Sequence, residues 1–426
     1  MVGFGGMAAK MAFQSSFGSS KGAADGGGGW MSEAVAETFA EELCRMRGAA
    51  LKIGQILSLQ DSQTLPAPLA KALERVRTEA NVMPKWQLEE VMKENFGENW
   101  REKFKVFDEE PFAAASIGQV HEAETHEGEK VAVKVQYPGV ARGIDADMAN
   151  VERIIQLGGF LPKGLFLDRI IKTAKEELSL ECDYLREAKN QMAFRDMLAK
   201  ELGEGGYGVP RVHENLTSAQ VLTSDWVEGE PVDLLANDSD QKIRDSVSDR
   251  MLGLVLRELF QFRLVQSDPN WSNFLYDKDT DTLHLIDFGA TNEYPSKFVE
   301  QYLQLVWACA DKDRNAILRH SKEIGFLSGR ESAAMIKAHV EAAYVMGEPF
   351  STEEEFDFST FKHGERMAEQ GQVFLKERLV PPPKEVYTLH RKLFGAISTC
   401  VKLRARVACR KRLAEYSKEV ASTQSP

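Results

Sequence analysis

Hydrophobic and polar residues follow two different periods along this chain, and the change of period divides it into segments. In residues 32–59, apolar residues recur every three or four positions without an interrupting proline. This spacing predicts a long amphipathic helix that Ser32 could cap. Pro66 and Pro84 are each typical of the first turn of a further helix. Residues 32–106 are therefore predicted to form a helical N-terminal extension.

The period changes to two in the next segment. Apolar and polar residues alternate on both sides of Glu127 and Gly128, which predicts a hairpin of two strands. A helical insertion is predicted at about residues 140–195, and residues 210–233 supply two more strands. Residues 107–228 are therefore predicted to form a small β lobe that contains a helical insertion.

The chain from residue 229 to residue 426 has mainly helical periodicity. A polar hairpin within residues 266–290 is the main exception, and consecutive prolines at residues 381–383 separate the last long helix from the rest. The predicted architecture is therefore α+β, with a small β lobe beside a larger helical lobe.

Composition and charge narrow the possible functions. With 426 residues, of which 43% are hydrophobic and 28% charged, the chain has the composition of an ordinary globular protein with a substantial core. The net charge of -12 argues against a general nucleic-acid-binding role, which needs a basic surface. An anionic ligand must therefore be held by a local site.

The cysteines are typical of a protein in a reducing compartment, and the N-terminal residues do not identify which compartment this is. The five cysteines are scattered and none lies in a C-x-x-C pair, so we interpret them as reduced structural thiols. Residues 1–31 are predicted to form a flexible leader rich in glycine and serine, and the absence of arginine makes it a poor transit peptide. The sequence contains no run of about 18 apolar residues, the length that a membrane-spanning helix needs.

Three oxygen-bearing side chains surround the polar hairpin. Asp268 and Asn273 are five residues apart, as in the D-x-x-x-x-N pattern of kinase catalytic loops, and Asp287 begins a D-F-G sequence after a predicted strand. Mg²⁺ prefers carboxylate and amide oxygens together with phosphate oxygens, so Asn273 and Asp287 are candidate metal ligands. Asp268 would then orient or deprotonate the attacking hydroxyl group or water.

Lys134 completes a four-part pattern. It lies in the predicted strand VAVKV, at the position of the kinase lysine that meets the α- and β-phosphates of ATP. Each fragment alone has an ordinary alternative: a turn for D-P-N, a strand end for D-F-G and an exposed edge-strand position for Lys134. The order and spacing of the fragments together favour the kinase interpretation.

The loop before this strand is rich in alanine. The sequence AAASIGQV occupies the position of the kinase G-x-G-x-x-G loop and contains a single glycine. Because alanine restricts φ, we expect a stiffer cover over the phosphates and altered nucleotide handling. The residues predicted to cover the nucleotide are Ala113, Ala114, Ala115, Ser116 and Gly118.

Four motifs in order give this sequence a specific family resemblance. They are K-x-G-Q at Lys52, Gly54 and Gln55, the alanine-rich loop, the E-x-D within ECDYLREA, and DPNWSNF followed by DFG. On these motifs, nearly the whole chain resembles the UbiB or aarF-domain atypical kinases, which are linked to coenzyme Q biosynthesis. The resemblance implies a protein-kinase-like, two-lobed fold whose K-x-G-Q helix packs over the active site.

The resemblance also gives roles to acidic residues of the helical insertion. It implies that Lys52 meets Glu181 and Asp183 where a peptide substrate would otherwise lie, which would make these residues and the K-x-G-Q motif regulatory. A solvated helix face is the alternative for K-x-G-Q alone. Ordinary kinase spacing would choose Glu152 as the partner of the strand lysine, whereas the family pattern points to Glu187, which we prefer.

The strand near residue 225 takes the position of the kinase hinge, which contacts adenine. Asp225, Trp226, Val227 and Glu228 would offer backbone groups to the base. A plain strand that ends in a turn is the alternative, and the residue types do not distinguish the two.

Features that kinases use for peptide substrates are missing from the sequence. Few residues separate Gly289 from the next predicted helix, and no A-P-E sequence follows. Ser267 replaces the arginine of H-R-D, the usual partner of a phosphorylated activation loop.

A basic run at residues 402–412 either touches anionic lipid heads or forms a solvated helix face.

The function implied by the resemblance is ATP hydrolysis with Mg²⁺ in support of ubiquinone biosynthesis. The expected setting is a membrane surface, in the mitochondrion (inner membrane, matrix side) or a plastid, with coenzyme Q biosynthetic proteins as partners; a homodimer is left open. Two alternatives stand beside it. One is a protein kinase that phosphorylates substrates in trans, and the other is a nucleotide-sensing, lipid-binding scaffold without useful turnover.

Overall fold

The computed structural model describes most of the chain from residue 82 onward and a short part before it. The described residues are 48–50, 52–53, 82–158, 167–238, 240–268, 270 and 273–422. Residues 48–50 and 52–53 are helical, and we call them the Lys52 helix. The leader at residues 1–31 and the helix predicted from Pro66 lie outside the described residues.

Short strands and longer helices occur in groups along the chain. The strands are β1 Val106–Phe107, β2 Ala113–Ala114, β3 Gly118–Glu124, β4 Lys130–Gln136, β5 Tyr207–Gly208, β6 Val221–Asp225, β7 Glu230–Pro231, β8 Leu264–Gln266, β9 Phe274–Asp277, β10 Thr282–Leu285, β11 Thr291–Glu293, β12 Phe356–Asp357 and β13 Arg406–Val407. The α-helices are α1 Lys85–Phe96, α2 Val140–Gly158, α3 Leu167–Glu181, α4 Tyr184–Met197, α5 Gln241–Arg257, α6 Ser296–Ala310, α7 Arg314–Ile324, α8 Ala333–Gly347, α9 His363–Glu377, α10 Lys384–Lys402 and α11 Cys409–Ser422. A π-helical segment, Glu258–Phe262, continues α5.

An antiparallel sheet forms the small lobe. Its strand order is β1-β3-β4-β6, and β2 also pairs with β3. Alternation along β4 buries Val131, Val133 and Val135 in one hydrophobic core with residues of α1. Because successive side chains of a strand point to opposite faces, Lys134 lies on the face away from this core.

The helical insertion lies between β4 and β6 and consists of α2, α3 and α4. Asp183 caps the N-terminus of α4, where its carboxylate accepts the backbone N–H of Arg186 at 3.0 Å. The helix α4 packs against β6 and buries Tyr184 and Glu187. This packing brings an acidic side chain of the insertion to the sheet face that carries Lys134.

Two strand pairs position the polar loops of the larger lobe. The predicted polar hairpin is formed by β9 and β10, with Asp277 opposite Thr282. The strand β11 pairs with β8, with Thr291 opposite Gln266. The residues that follow β8 and those that follow β10 are therefore neighbours, and a helical core around α5, α6, α10 and α11 supports them.

The expected α+β fold class is confirmed. The prediction that residues 140–195 are mainly helical agrees with the helices found there, while the domain boundaries at residues 31, 106 and 228 stay predictions. In the described part of the chain, no helix combines the length and the apolar character needed to cross a membrane.

Gly118 lies where two backbone segments and a side chain meet, and this gives a stability prediction. A Cβ atom at this position would lie 2.4 Å from the carbonyl oxygen of Val135 and 2.8 Å from the hydroxyl of Tyr184. We expect Gly118→Ala to lower the free energy of unfolding by about 1–3 kcal/mol, because the added methyl group overpacks the site. Urea denaturation of the purified chain measures this.

Gly364→Ala is the matched control for this substitution. A Cβ atom at Gly364 would meet nothing within 4 Å, and the residue lies in the first turn of α9. Its stability should be unchanged or rise by less than about 1 kcal/mol. Equal stabilities of the two variants would contradict the close packing around Gly118.

Candidate functional site

Three charged side chains from three different elements meet at the cleft between the lobes. The ammonium group of Lys134 in β4 donates to Oε1 of Glu187 in α4 at 2.7 Å and to Oδ2 of Asp287, after β10, at 3.3 Å. Glu187 is 1% exposed, whereas Asp287 keeps 31% of its side-chain surface exposed. The carboxylate of Asp287 therefore remains accessible to a ligand, and that of Glu187 does not.

Burial and mutual attraction set the charges of this trio. Burial would lower the pKa of Lys134, but the carboxylates of Asp287 and Glu187 raise it well above its usual value overall. Burial works to raise the pKa of Asp287, and the Lys134 ammonium together with the Gly289 N–H more than offsets it, so the pKa is lowered. Burial raises the pKa of Glu187 to about 7. Lys134 is thus cationic and Asp287 anionic at neutral pH.

Asp268 and Asn273 face each other across the loop after β8. The Asn273 side-chain amide donates to Oδ2 of Asp268 at 2.9 Å, and Oδ1 of Asp268 accepts the N–H of Asn270 at 3.3 Å. The N–H of Ile286 donates to the Asn273 carbonyl oxygen at 3.1 Å, which joins this loop to the end of β10. The structure therefore brings Asp268, Asn273 and the Asp287 segment together, as the sequence order suggests.

The oxygen donors of this region suit a hard cation. Asn273 uses its amide nitrogen as a donor to Asp268, which leaves its side-chain oxygen as an acceptor. Together with the accessible carboxylate of Asp287 it could supply two ligands to Mg²⁺, whose remaining ligands would be phosphate oxygens and water. Among the described residues, no group of three or more His, Cys, Asp or Glu side chains forms a metal site. The donor set fits a cation that arrives with a phosphate ligand.

The alanine-rich loop forms the tip of the β2–β3 hairpin. Ala113 pairs with Val120, and the N–H of Ala115 donates to the Gly118 carbonyl oxygen at 2.8 Å. Ala113 and Ala114 are exposed, Ala115 and Ser116 are half-buried, and Gly118 is buried. That these residues cover the nucleotide stays a prediction.

The expected hinge residues follow the end of β6. The carboxylate of Asp225 binds His213 at 2.8 Å and Arg211 at 3.3 Å, so its side chain is occupied by other residues. Trp226 donates its backbone N–H to Lys130, and its ring contacts Phe112 at a centroid distance of 4.9 Å. Backbone contacts to a base from these residues and from Val227 and Glu228 stay predictions.

A second buried charge cluster adjoins the first. Lys52, which is 1% exposed, forms ion pairs with Glu177 at 2.9 Å and with Glu181. Gly48 of the same helix packs against Ile117 of the alanine-rich loop and Leu178 of α3. The Lys52 helix therefore bridges the loop and the insertion. Gly54 and Gln55 lie outside the described residues.

The expected contact between Lys52 and Asp183 is wrong. Asp183 is exposed and caps α4, whereas Glu177 takes the expected place beside Lys52. The reason is helical geometry, since Glu177 and Glu181 lie four residues apart on one face of α3, while Asp183 follows the end of that helix. Of the two glutamates considered for Lys134, Glu187 makes the contact, and Glu152 lies in α2.

Sequence reasoning missed Glu177 and Arg391. The Arg391 side chain in α10 is 2% exposed and pairs with Glu177 at 3.0 Å. It also donates to the carbonyl oxygen of Ser267 at 2.9 Å, directly before Asp268. The signal in the sequence was a pair of cations, Arg391 and Lys392, in an otherwise apolar part of a helix.

Most cations of the basic run at residues 402–412 lie near carboxylates, whereas Arg404 and Lys411 are exposed. Arg410 pairs with Asp311 at 3.0 Å and Glu353 at 2.9 Å, and Arg412 pairs with Asp249. Most of these acids belong to other elements of the helical lobe. The geometry favours the alternative of an ion-paired, solvated helix face over a lipid-binding patch.

Comparisons with known proteins found a matching family model and similar chains. A model of the ABC1 atypical kinase-like domain matches residues 75–321. Atypical kinase COQ8B, mitochondrial, of Danio rerio is 45% identical over 89% of this chain and 60% of its own length. Atypical kinase coq-8, mitochondrial, of Caenorhabditis elegans is 45% identical over 89% of this chain and 50% of its own length. Atypical kinase COQ8, mitochondrial, of Saccharomyces cerevisiae is 40% identical over 90% of this chain and 76% of its own length.

A solved structure supports the fold. The complex of Rv3197 with erythromycin from Mycobacterium tuberculosis aligns with a TM-score of 0.59 at 24% identity, and the match covers 90% of this chain and 95% of that one. This likeness concerns the fold alone, and with the family match it confirms the kinase-like class. The chain spans about half to three quarters of the length of the curated relatives described above.

The Arg391 contacts give a second stability prediction. Arg391→Met keeps the size of the apolar stem but leaves the buried Glu177 carboxylate and the Ser267 carbonyl without this cation. We expect the free energy of unfolding to fall by about 3 kcal/mol, the lower end of the usual range when one partner of a buried pair is removed, because Glu177 keeps its pair with Lys52. Urea denaturation measures the change.

Arg406→Met serves as the control. Arg406 is 60% exposed and lies 3.4 Å from Asp357, itself 44% exposed. Solvent screens such a pair, so the loss should be below about 1 kcal/mol. If Arg391→Met were as stable as this variant, the Arg391 cluster would not contribute to the fold as described.

Proposed function

This chain belongs to the ABC1/AarF (UbiB) family of atypical kinase-like proteins, and on that premise we propose that it binds ATP with Mg²⁺ and hydrolyses it. The biological role we propose is support of coenzyme Q biosynthesis, as the COQ8 relatives suggest. Water or a small molecule, rather than a peptide side chain, would be the acceptor of the phosphoryl group.

The observation that carries this proposal is the trio of Lys134, Glu187 and Asp287. A kinase active site needs a lysine held by a glutamate and, beside it, an aspartate for the metal. Here the lysine is 2.7 Å from the glutamate and 3.3 Å from the aspartate, although residues 134 and 287 are far apart in the sequence. This meeting of one cation and two carboxylates supports the proposal independently of any relative.

Each side chain of the site has a defined task in this proposal. Lys134 donates to phosphate oxygens, and Glu187 fixes the lysine from behind, where it is buried. Asn273 and Asp287 would hold Mg²⁺, which neutralises negative charge on the phosphates when bound. Asp268, held by the Asn273 amide, would accept a hydrogen bond from the attacking hydroxyl group or water and orient it.

The segment after Asp287 supports a small acceptor. Residues 290–295 connect it directly to α6, and β11 within them is paired with β8. Arg186 of α4 donates to the carbonyl oxygens of Gly289 and Thr291 and holds the segment against the insertion. The Lys52 helix occupies space between the alanine-rich loop and α3. Among the residues that the structure describes, these contacts leave no extended segment after Asp287 on which a peptide substrate would lie.

The proposed setting follows from the relatives. Three of them carry mitochondrial in their names, and we propose that this chain acts in the mitochondrion, on the matrix side of the inner membrane, with coenzyme Q biosynthetic proteins. A plastid location and a homodimer stay predictions. Phosphate release measured with and without liposomes that contain anionic lipid tests the membrane part of this setting.

Replacing the proposed metal ligand tests the proposed activity. Asp287→Asn removes the anionic oxygen beside Lys134, and we expect phosphate release from Mg-ATP to fall by at least about a hundredfold. Asp279→Asn makes the same chemical change on the exposed turn of the β9–β10 hairpin, and its turnover should stay within about twofold of the wild type. Phosphate release that survives Asp287→Asn would show that this is not the working site.

A peptide library and labelled ATP distinguish the alternatives. Transfer of label to peptides by the wild type would favour a protein kinase that acts in trans. ATP binding without any phosphate release would favour a nucleotide-sensing scaffold. Our proposal predicts phosphate release with no labelled peptide.

A further inference from the structure

The helical lobe contains a large cavity that the candidate nucleotide site does not use. It has a volume of about 580 Å³ and lies among α5 with its π-helical continuation, α6, α8, α9 and α10. None of the charged residues at the cleft lines it. Volumes of about 300–1,000 Å³ are typical of small-molecule sites.

Small residues occupy part of the wall of this cavity. On α9, Gly364, Ala368 and Gly371 line it at spacings of four and three residues, which places them on one face of the helix. On α8, Ala342 and Gly347 line it. A Cβ atom at Gly364 would meet nothing within 4 Å. At these positions the two helices present little side-chain volume to the cavity, whereas Met346, Met367 and Phe374 are bulky members of its wall.

The cavity wall is apolar and aromatic, with few polar groups. Its aromatic members include Phe260, Tyr302, Phe326, Phe350, Phe374 and Phe394. Apolar volume that is left unfilled forfeits dispersion contacts, and a cavity without polar partners holds water poorly. A wall of this kind therefore favours an apolar occupant.

Two histidines give the wall its neutral hydrogen-bonding groups. His339 binds the Ser321 hydroxyl at 2.8 Å, and the His390 ring stacks on Phe326 at a centroid distance of 5.5 Å. Burial lowers the pKa of both histidines to about 4, so both are neutral at pH 7. A neutral imidazole can donate or accept one hydrogen bond at each nitrogen. Arg378 and Glu365 also line the cavity with opposite charges, so the wall has no excess charge of one sign.

We propose that this cavity binds an uncharged, mainly apolar small molecule that carries one hydroxyl or carbonyl group, with His390 as its hydrogen-bonding partner. The aromatic and aliphatic wall would enclose a ring or hydrocarbon portion, and the imidazole would orient the polar end. This site is separate from the nucleotide site, and its occupancy does not depend on the proposed function.

A fluorescent probe of this chemistry tests the proposal on the full chain without nucleotide. Prodan is a neutral naphthalene with one ketone, and its emission shifts to shorter wavelength in apolar surroundings. We expect titration of the purified protein into prodan to give a saturable blue shift with a Kd below about 100 μM. The naphthalene sulfonate ANS, which is anionic, should bind at least about tenfold more weakly. Absence of a prodan shift up to about 100 μM protein, or equal affinity for the two probes, overturns the proposal.

Filling the cavity should remove the binding. Ala368→Phe places a ring in the space, and we expect the Kd for prodan to rise at least about tenfold. Ala334→Phe is the matched control, because Ala334 is exposed on α8 and does not line the cavity. Its Kd should equal that of the wild type. Circular dichroism melting checks that each variant folds.

A second filling variant covers the case in which Ala368→Phe does not fold. Gly364→Phe adds its ring at the exposed edge of the cavity, where a Cβ atom would meet nothing within 4 Å, and should weaken prodan binding in the same direction. Unchanged binding in either folded variant places the probe elsewhere and overturns the assigned site.

The role of His390 has its own test. His390→Phe keeps an aromatic ring stacked on Phe326 but removes both ring nitrogens. Loss of one hydrogen bond should raise the Kd for prodan between about twofold and tenfold. An unchanged Kd would overturn the assignment of His390 as the polar anchor.

Discussion

The packing of this molecule depends on the pairing of its buried cations with carboxylates. Lys52, Lys134 and Arg391 are each largely withdrawn from solvent, and each is paired with a carboxylate from another element. A buried charge is tolerated only when it is paired and hydrogen-bonded. The helices that carry Glu177, Glu181 and Glu187 must therefore stay in place, and these helices belong to the insertion between β4 and β6.

The insertion thus connects the two charge clusters through its own helices. The helix α3 supplies the partners of Lys52 and Arg391, and α4 supplies the partner of Lys134. The charge of Lys52 also helps to lower the pKa of Asp287, so the two clusters interact electrostatically. The helical insertion therefore holds both Lys134 of the sheet and the Lys52 helix.

The sequence predicted local structure well and distant partners less well. Alternation of apolar residues predicted the strand that carries Lys134, and the D-x-x-x-x-N spacing pointed to the pair of Asp268 and Asn273, because both patterns depend on residues close in the chain. Arg391 contacts Glu177, 214 positions earlier, and no periodicity reveals such a pair. The expected contact of Asp183 failed because a helix end lies between it and Glu181. The cavity is not predictable from local patterns because helices that are distant in the sequence form its wall.

Consecutive residues of α10 face three different surroundings: His390 lines the cavity, Arg391 reaches Ser267, and Lys392 binds Glu258. Arg391 follows Ser267 by 124 positions, and translation proceeds from the N-terminus. A ribosome therefore adds both aspartates of the cleft well before the arginine that binds Ser267, the residue before Asp268. Until α10 has emerged, Glu177 lacks this cation, so the order of synthesis delays completion of the cleft.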